Sequence, residues 1–182
     1  EAAASVAPPL YGPEDLAGLQ KAVKRGASPS DAAELARALL QAKLQTPCQK
    51  LIEKALADDP ECAAALEVAG ELALARKDPG RAASLLEKAL KHSPDRYPSL
   101  SLLARAEALQ GHHARAVELA RAAIARQPRG PSPYETLAQV ARASKDTPLL
   151  KESLEALSRV MDGNSACRVE RARLSLAEGD AK

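Results

Sequence analysis

Residues 53–60 read EKALADDP and residues 87–94 read EKALKHSP: the same tetrapeptide, a short polar stretch and a proline, repeated 34 positions on. The prolines extend the pattern. Pro60 and Pro94 are followed after another 34 residues by Pro128, in ARQPRG, and then by Asp162, in VMDGN, where the proline is lost but a turn signal remains. With this proline at position 32, four units span residues 29–62, 63–96, 97–130 and 131–164, and 165–182 would be half of a fifth or a C-terminal capping helix. Self-similarity at such a period marks a chain of stacked supersecondary units.

Other positions test the register independently. Position 8 reads Ala36, Gly70, Ala104, Ala138; position 20 reads Cys48, Ala82, Ala116, Leu150; position 27 reads Ala55, Ala89, Ala123, Leu157; position 24 reads Ile52, Leu86, Ala120, Leu154. Small residues recur where two helices must approach closely, and no gap is needed to align the units. In the second unit Leu66, Ala69, Gly70 and Ala73 share one face of a helix A, at i, i+3, i+4, i+7 spacing. KDPG breaks that helix and RAASLLEKAL forms a helix B. Thr46-Pro47, Asp78-Pro79 and Thr147-Pro148 read as openings of B helices, and Thr46 with Gln49 and Ser132 with Glu135 have capping-box spacing. Residues 13–28 are expected to form an N-terminal capping helix, with Leu16, Leu19 and Val23 on a face, after a flexible segment over 1–12.

Composition agrees with an all-α chain. Of 182 residues 46% are hydrophobic, yet there is no Phe or Trp, one Met and three Tyr. Ala and Leu lead the helix-propensity scale, and they suit helices packed in thin layers better than one large core. A charge of +2 from 26 basic and 24 acidic residues exerts no general pull on nucleic acid or anionic membrane. Charged residues interrupt every apolar run before the ~18 residues a spanning helix needs, and EAAASVAPPLYGP has no signal-peptide pattern. Cys48, Cys62 and Cys167 are odd in number and far apart, so the expectation is a reducing, cytoplasmic setting, with the periplasm left open.

A 34-residue helix-turn-helix unit with small residues at positions 8, 20 and 27 and proline at 32 resembles the tetratricopeptide repeat (TPR) family over residues 29 to about 178. Position 4, often Trp there, is Ala32, Leu66, Leu100 and Tyr134; position 11, often Tyr, is Leu39, Ala73, Glu107 and Ala141. The resemblance implies a right-handed α-solenoid of antiparallel helix pairs, each unit burying its face against its neighbours. It also implies a concave wall lined by helix A. That wall reads Ala33, Arg37, Leu40 and Gln41, then Glu67, Glu71 and Leu74, then Ser101, Arg105 and Leu109, then Glu135, Gln139 and Arg142. Charges of both signs beside leucines suit a peptide or helix of mixed charge with an apolar anchor. Arg37, Arg105 and Arg142 would pair with partner acids, and Glu67 and Glu71 with partner bases.

The implied function is a non-enzymatic scaffold or adaptor for a protein partner. Its Ala-rich, Arg-over-Lys composition suggests a bacterial assembly, secretion, motility or regulatory complex. A self-assembling array is a second reading and RNA binding a lesser one. For RNA, helix ARAVELARAAIARQPRG offers Arg115, Arg121, Arg126 and Arg129, but Glu118 interrupts the stripe and stacking aromatics are missing. The A-helix wall lacks the Asn and Lys with which related modules clamp a chaperone's C-terminal carboxylate; the one Asn, Asn164, is expected in a turn. No nucleophile motif, glycine-rich phosphate loop or zinc-like spacing occurs, so no catalytic residue, metal or cofactor is expected. His112 and His113 read as solvated turn residues, Cys48 as core packing, Cys62 as an inert residue beginning a helix, and every acidic side chain as outward-facing.

Overall fold

The computed structural model describes residues 28–161; the expectations for residues 1–27 and for 165–182 lie outside them. The described residues form eight helices and no strand: α1 (Pro29–Gln41), α2 (Gln45–Asp58), α3 (Ala63–Ala75), α4 (Pro79–His92), α5 (Tyr97–Leu109), α6 (His113–Arg126), α7 (Pro131–Ala143) and α8 (Thr147–Val160). Each A helix starts 34 residues after the one before, at 29, 63, 97 and 131, and so does each B helix, at 45, 79, 113 and 147. The fold is an all-α solenoid of helix pairs.

Backbone geometry explains why the punctuation repeats. Between units, residues 59–62, 93–96 and 127–130 form turns closed by bonds from Cys62, Arg96 and Gly130 N–H to the Asp59, Ser93 and Gln127 carbonyls. The recurring proline is the second residue of each, where its fixed φ near −65° suits a β-turn. Between helix A and helix B, position 15 takes a left-handed conformation in every unit: Lys43 (φ 61°), Lys77 (62°), Gly111 (86°) and Lys145 (57°). The next residue's N–H bonds back five positions, Leu44 to Leu39, Asp78 to Ala73, His112 to Glu107 and Asp146 to Ala141. This is a Schellman closure, and the residue that completes it is already the N-cap of helix B.

That turn corrects the expected helix openings. Asp78 caps α4 through the Arg81 N–H as expected. Helix α2, however, opens at Leu44 without a side-chain cap, so Thr46 lies inside the helix and makes no box with Gln49. Asp146, not Thr147, caps α8. Gly130 is the N-cap of α7, and Ser132 with Glu135 forms no box. The closure fixes where helix B starts whatever side chain is available. A capping box does form at Ser28 and Asp31 ahead of α1.

The small positions are buried as the register requires. Ala36, Ala104 and Ala138, Cys48, Ala82 and Ala116, and Ala55, Ala89 and Ala123 are at most 4% exposed. At Gly70 even a methyl group would meet Leu86 Cγ at 2.7 Å, so α3 and α4 approach too closely there for any side chain. Larger residues fill the seams, among them Ile52, Leu86, Leu103 and Leu154. The backbones of successive A helices approach closely, α1 to α3, α3 to α5 and α5 to α7, whereas those of successive B helices stand farther apart. A stack with its A helices in contact and its B helices splayed bends toward the A side, which makes the A face concave.

Candidate functional site

The concave face is organised around a carboxylate absent from its surface. Glu67 on α3 is 0% exposed and accepts from three donors. Arg37 reaches it from α1, Arg96 Nε lies 2.7 Å from Oε2, and Ser99 Oγ donates to Oε2 at 2.6 Å. Burying an ionised carboxylate is costly unless charged and polar donors saturate it; here Arg37 and Ser99 come from the two flanking units and Arg96 from the end of the same unit. Glu67 is therefore not an outward residue awaiting a partner base, and Arg37, placed on the wall to meet a partner acid, already pairs with it. Each charge was expected to face a ligand; stacking the units places one over the other.

Glu107 corrects the outward reading of the acids again. It occupies position 11 on α5 and is 3% exposed. Its carboxylate lies 2.7 Å from His112 Nδ1 and 3.3 Å from Arg115. His112 remains largely exposed at the turn. Arg115 also bonds Glu87 at 2.6 Å, and Arg126 bonds Asp95 at 2.6 Å, so two of the four arginines in the stripe are engaged within the chain.

Beside the Glu67 hub the A face opens into a pocket of about 370 Å³ between α1, α3 and α5. It is lined by Leu40, Gln41, Lys43, Gln45, Glu71, Leu74, Ala75 and Arg105. Five wall residues thus come together: Leu40, Gln41, Glu71, Leu74 and Arg105. Glu71 is half-buried, and its nearest cationic atom, Arg37 Nε, is 3.9 Å away, too far for a hydrogen bond. Burial pushes its carboxyl above the ordinary carboxylate pKa; Arg37 opposes this, the Glu67 charge adds to it, and Arg105 opposes it. Arg105 is exposed. Leu109, 65% exposed, lies farther along α5. Glu135, Gln139 and Arg142 are exposed on α7 and do not line this pocket. Ala33 and Ser101 are buried at 1% and 5%, and Ser101 Oγ has no bonding partner among the described residues. Periodicity did not reveal Arg96 and Ser99, because they sit at the turn and first turn of the next unit.

Cys48 is fully buried, and burial pushes its thiol up to about 11. Among the described residues no group of three His, Cys, Asp or Glu is placed to hold a metal ion. No described helix is long and apolar enough to cross a membrane.

The tetratricopeptide repeat family model matches residues 73–146, from the last turn of α3 to the N-cap of α8. Together with the 34-residue helix pairs, this match supports a tetratricopeptide-repeat protein. A search of the curated proteins returns no match. Among solved structures it is similar to TTC0263, a thermophilic TPR protein of Thermus thermophilus, at TM-score 0.76 and 20% identity, with 89% of each chain covered. It is also similar to the Cut9-Hcn1 hetero-tetramer of the APC/C, at TM-score 0.79 and 12% identity, covering 88% of this chain and 32% of that one. YrrB, a TPR protein with an unusual peptide-binding site, aligns at TM-score 0.64 and 14% identity, over 87% of this chain and 82% of that one. At these identities the likeness is one of fold.

Proposed function

We propose that the chain is a non-enzymatic scaffold that binds a segment of a partner protein in its A-helix groove, centred on the pocket between α1, α3 and α5. The fold is one that suggests protein interaction. The observation that carries the finer reading is the chemistry of that pocket: Leu40 and Leu74 stand beside a half-buried carboxylate, Glu71, that accepts no hydrogen bond among the described residues, and the exposed Arg105. An aliphatic partner residue would pack on the leucines, a partner acid would meet Arg105 and Lys43, and a partner base would satisfy Glu71. Leu109, and Glu135, Gln139 and Arg142 on α7, would extend the contact along the wall. YrrB, which shares this fold, has a peptide-binding site, and this supports peptide binding here. Affinity capture with wild type, Leu74→Glu and Arg105→Glu tests it, once circular dichroism shows all three folded. A partner held by wild type and lost by both variants is expected; one held equally by all three overturns the reading.

A further inference from the structure

Where one unit departs from its three siblings, the departure changes local chemistry against a constant background. Position 7 reads Leu35, Ala69, Leu103 and Leu137. The three leucines are buried at 2–4% exposure. In the second unit the side chain ends at Cβ, and a cavity of about 140 Å³ opens between α2, α3 and α4. Ala69 and Ala73 form part of its wall, with Ile52, Leu56, Leu72 and Leu85 around them. It lies between two B helices whose backbones stand apart, on the face away from the groove. An apolar cavity of ~150 Å³ can admit a ligand the size of benzene.

The rim of this cavity also differs from that of the next seam. One seam further on, Arg115 at position 19 bonds Glu87 at position 25, joining α6 to α4 at 2.6 Å. The corresponding residues, Arg81 and Glu53, both line the cavity but do not pair. Glu53 instead accepts from Gln49 Nε2 at 2.7 Å, and Gln49 Oε1 accepts from Arg76 at 2.6 Å. Ala83 stands at the position of Gln49 in the next unit, so nothing competes for Glu87 there. Asp78, the other acid at the rim, accepts from the Arg81 backbone N–H as the cap of α4. Arg81's guanidinium has no hydrogen bond or ion pair among the described residues.

We propose that this seam is a second protein-binding site, which takes an aliphatic side chain of a partner segment into the space left by the missing leucine and its neighbouring carboxylate onto Arg81. In the next seam the chain itself supplies both groups, Leu103 at position 7 and Glu87 as the partner of Arg115. The site is independent of the groove, and its test uses neither Leu74 nor Arg105.

The probes are N-acetyl-L-leucine, which carries both groups, and N-acetyl-L-leucinamide, which lacks the carboxylate. Each is titrated into the full chain while the Ile and Leu methyl NMR signals are followed. Saturable shifts at Ile52, Leu56, Leu72 and Leu85 are expected. The Kd should be on the order of millimolar, as for a dozen heavy atoms at ordinary ligand efficiency. The amide should bind roughly threefold more weakly, the size of a solvent-exposed ion pair, and Arg81→Gln should remove that difference. Ala69→Leu, which refills the cavity, should abolish the shifts. Absence of saturable shifts in the wild type, equal binding of acid and amide, or shifts that survive Ala69→Leu would each overturn the assignment, and the first two need no variant.

Discussion

The buried hub at Glu67 makes the sharpest claim about what holds the stack together. Removing one partner of a buried ion pair costs roughly 3–5 kcal/mol. Here the stranded cations, Arg37 and Arg96, are 25% and 32% exposed and can partly rehydrate, whereas Ser99 Oγ is left in a fully buried position. Glu67→Ala should therefore fall near the lower end, at about 3 kcal/mol. Glu67→Gln keeps the shape and can still accept from Ser99 and one guanidinium, so its loss should be about 1–2 kcal/mol. Because Glu67 is bonded from the units on both sides, the loss falls on two interfaces at once, and in a solenoid those interfaces carry much of the stability. At 2–4 °C per kcal/mol for a chain of this size, Glu67→Ala should lower the Tm by roughly 6–12 °C. Urea unfolding followed by circular dichroism gives the free energy directly, with Glu135→Ala on exposed α7 as the control, expected within ~0.5 kcal/mol of wild type. If Glu67→Ala unfolds with the free energy of Glu135→Ala, the hub does not organise the stack and the reasoning is wrong.

Other consequences can be measured in the same preparations. Glu71 has its carboxyl pKa raised in the fold, chiefly by burial. Its charged form therefore opposes folding above the raised value, and that penalty fades as pH falls toward the unfolded-state value near 4.5. Glu71→Gln should thus be more stable than wild type at pH 7, with the advantage shrinking toward pH 4; a variant less stable at pH 7 contradicts this. At position 15, Gly111→Ala forces a side chain into a left-handed turn and should cost about 1 kcal/mol. Lys77→Gly should recover ~0.5–1 kcal/mol by relieving the same strain; thermal melts reading the opposite signs would refute the turn analysis. Cys48, buried and with its thiol raised to about 11, should resist iodoacetamide at pH 8 in the native chain and react in urea, as read by peptide mass mapping. Alkylation of Cys48 at equal rates in both states would place it outside the core.

What sequence reveals here divides along a physical line. The units, their helix pairs and the small positions 8, 20 and 27 were legible because close helix packing permits few side chains, and each copy repeats that restriction. Pro60, Pro94 and Pro128 were legible as marks, and the turn that needs them explains the marks. Glu67 was misplaced because periodicity assigns a residue to a face without saying what covers it. Its partners lie 30 residues earlier at Arg37 and 29 later at Arg96, so pairing charges about one unit length apart is the signal that could have found them. Glu107 held a comparable clue at position 11, where an acid replaces a bulkier side chain. The helix openings at Thr46 and Thr147 failed for another reason: a left-handed residue at position 15 sets the N-cap at position 16, and side-chain preference only decorates that choice. In the groove, Leu40, Gln41, Glu71, Leu74 and Arg105 were legible as members of one wall, but their convergence on one pocket depends on how three A helices stack.

Site-specific photo-crosslinking tests the central claim, that the A-helix groove receives the partner. Benzoylphenylalanine placed at Leu74 or Leu109 in the groove is compared with the same group at Glu118 or Glu155, exposed on B helices away from the α2–α4 seam. A single partner adduct from Leu74 and Leu109 and none from Glu118 or Glu155 is the predicted result. Adducts from Glu118 and Glu155 with none from Leu74 and Leu109 would contradict it.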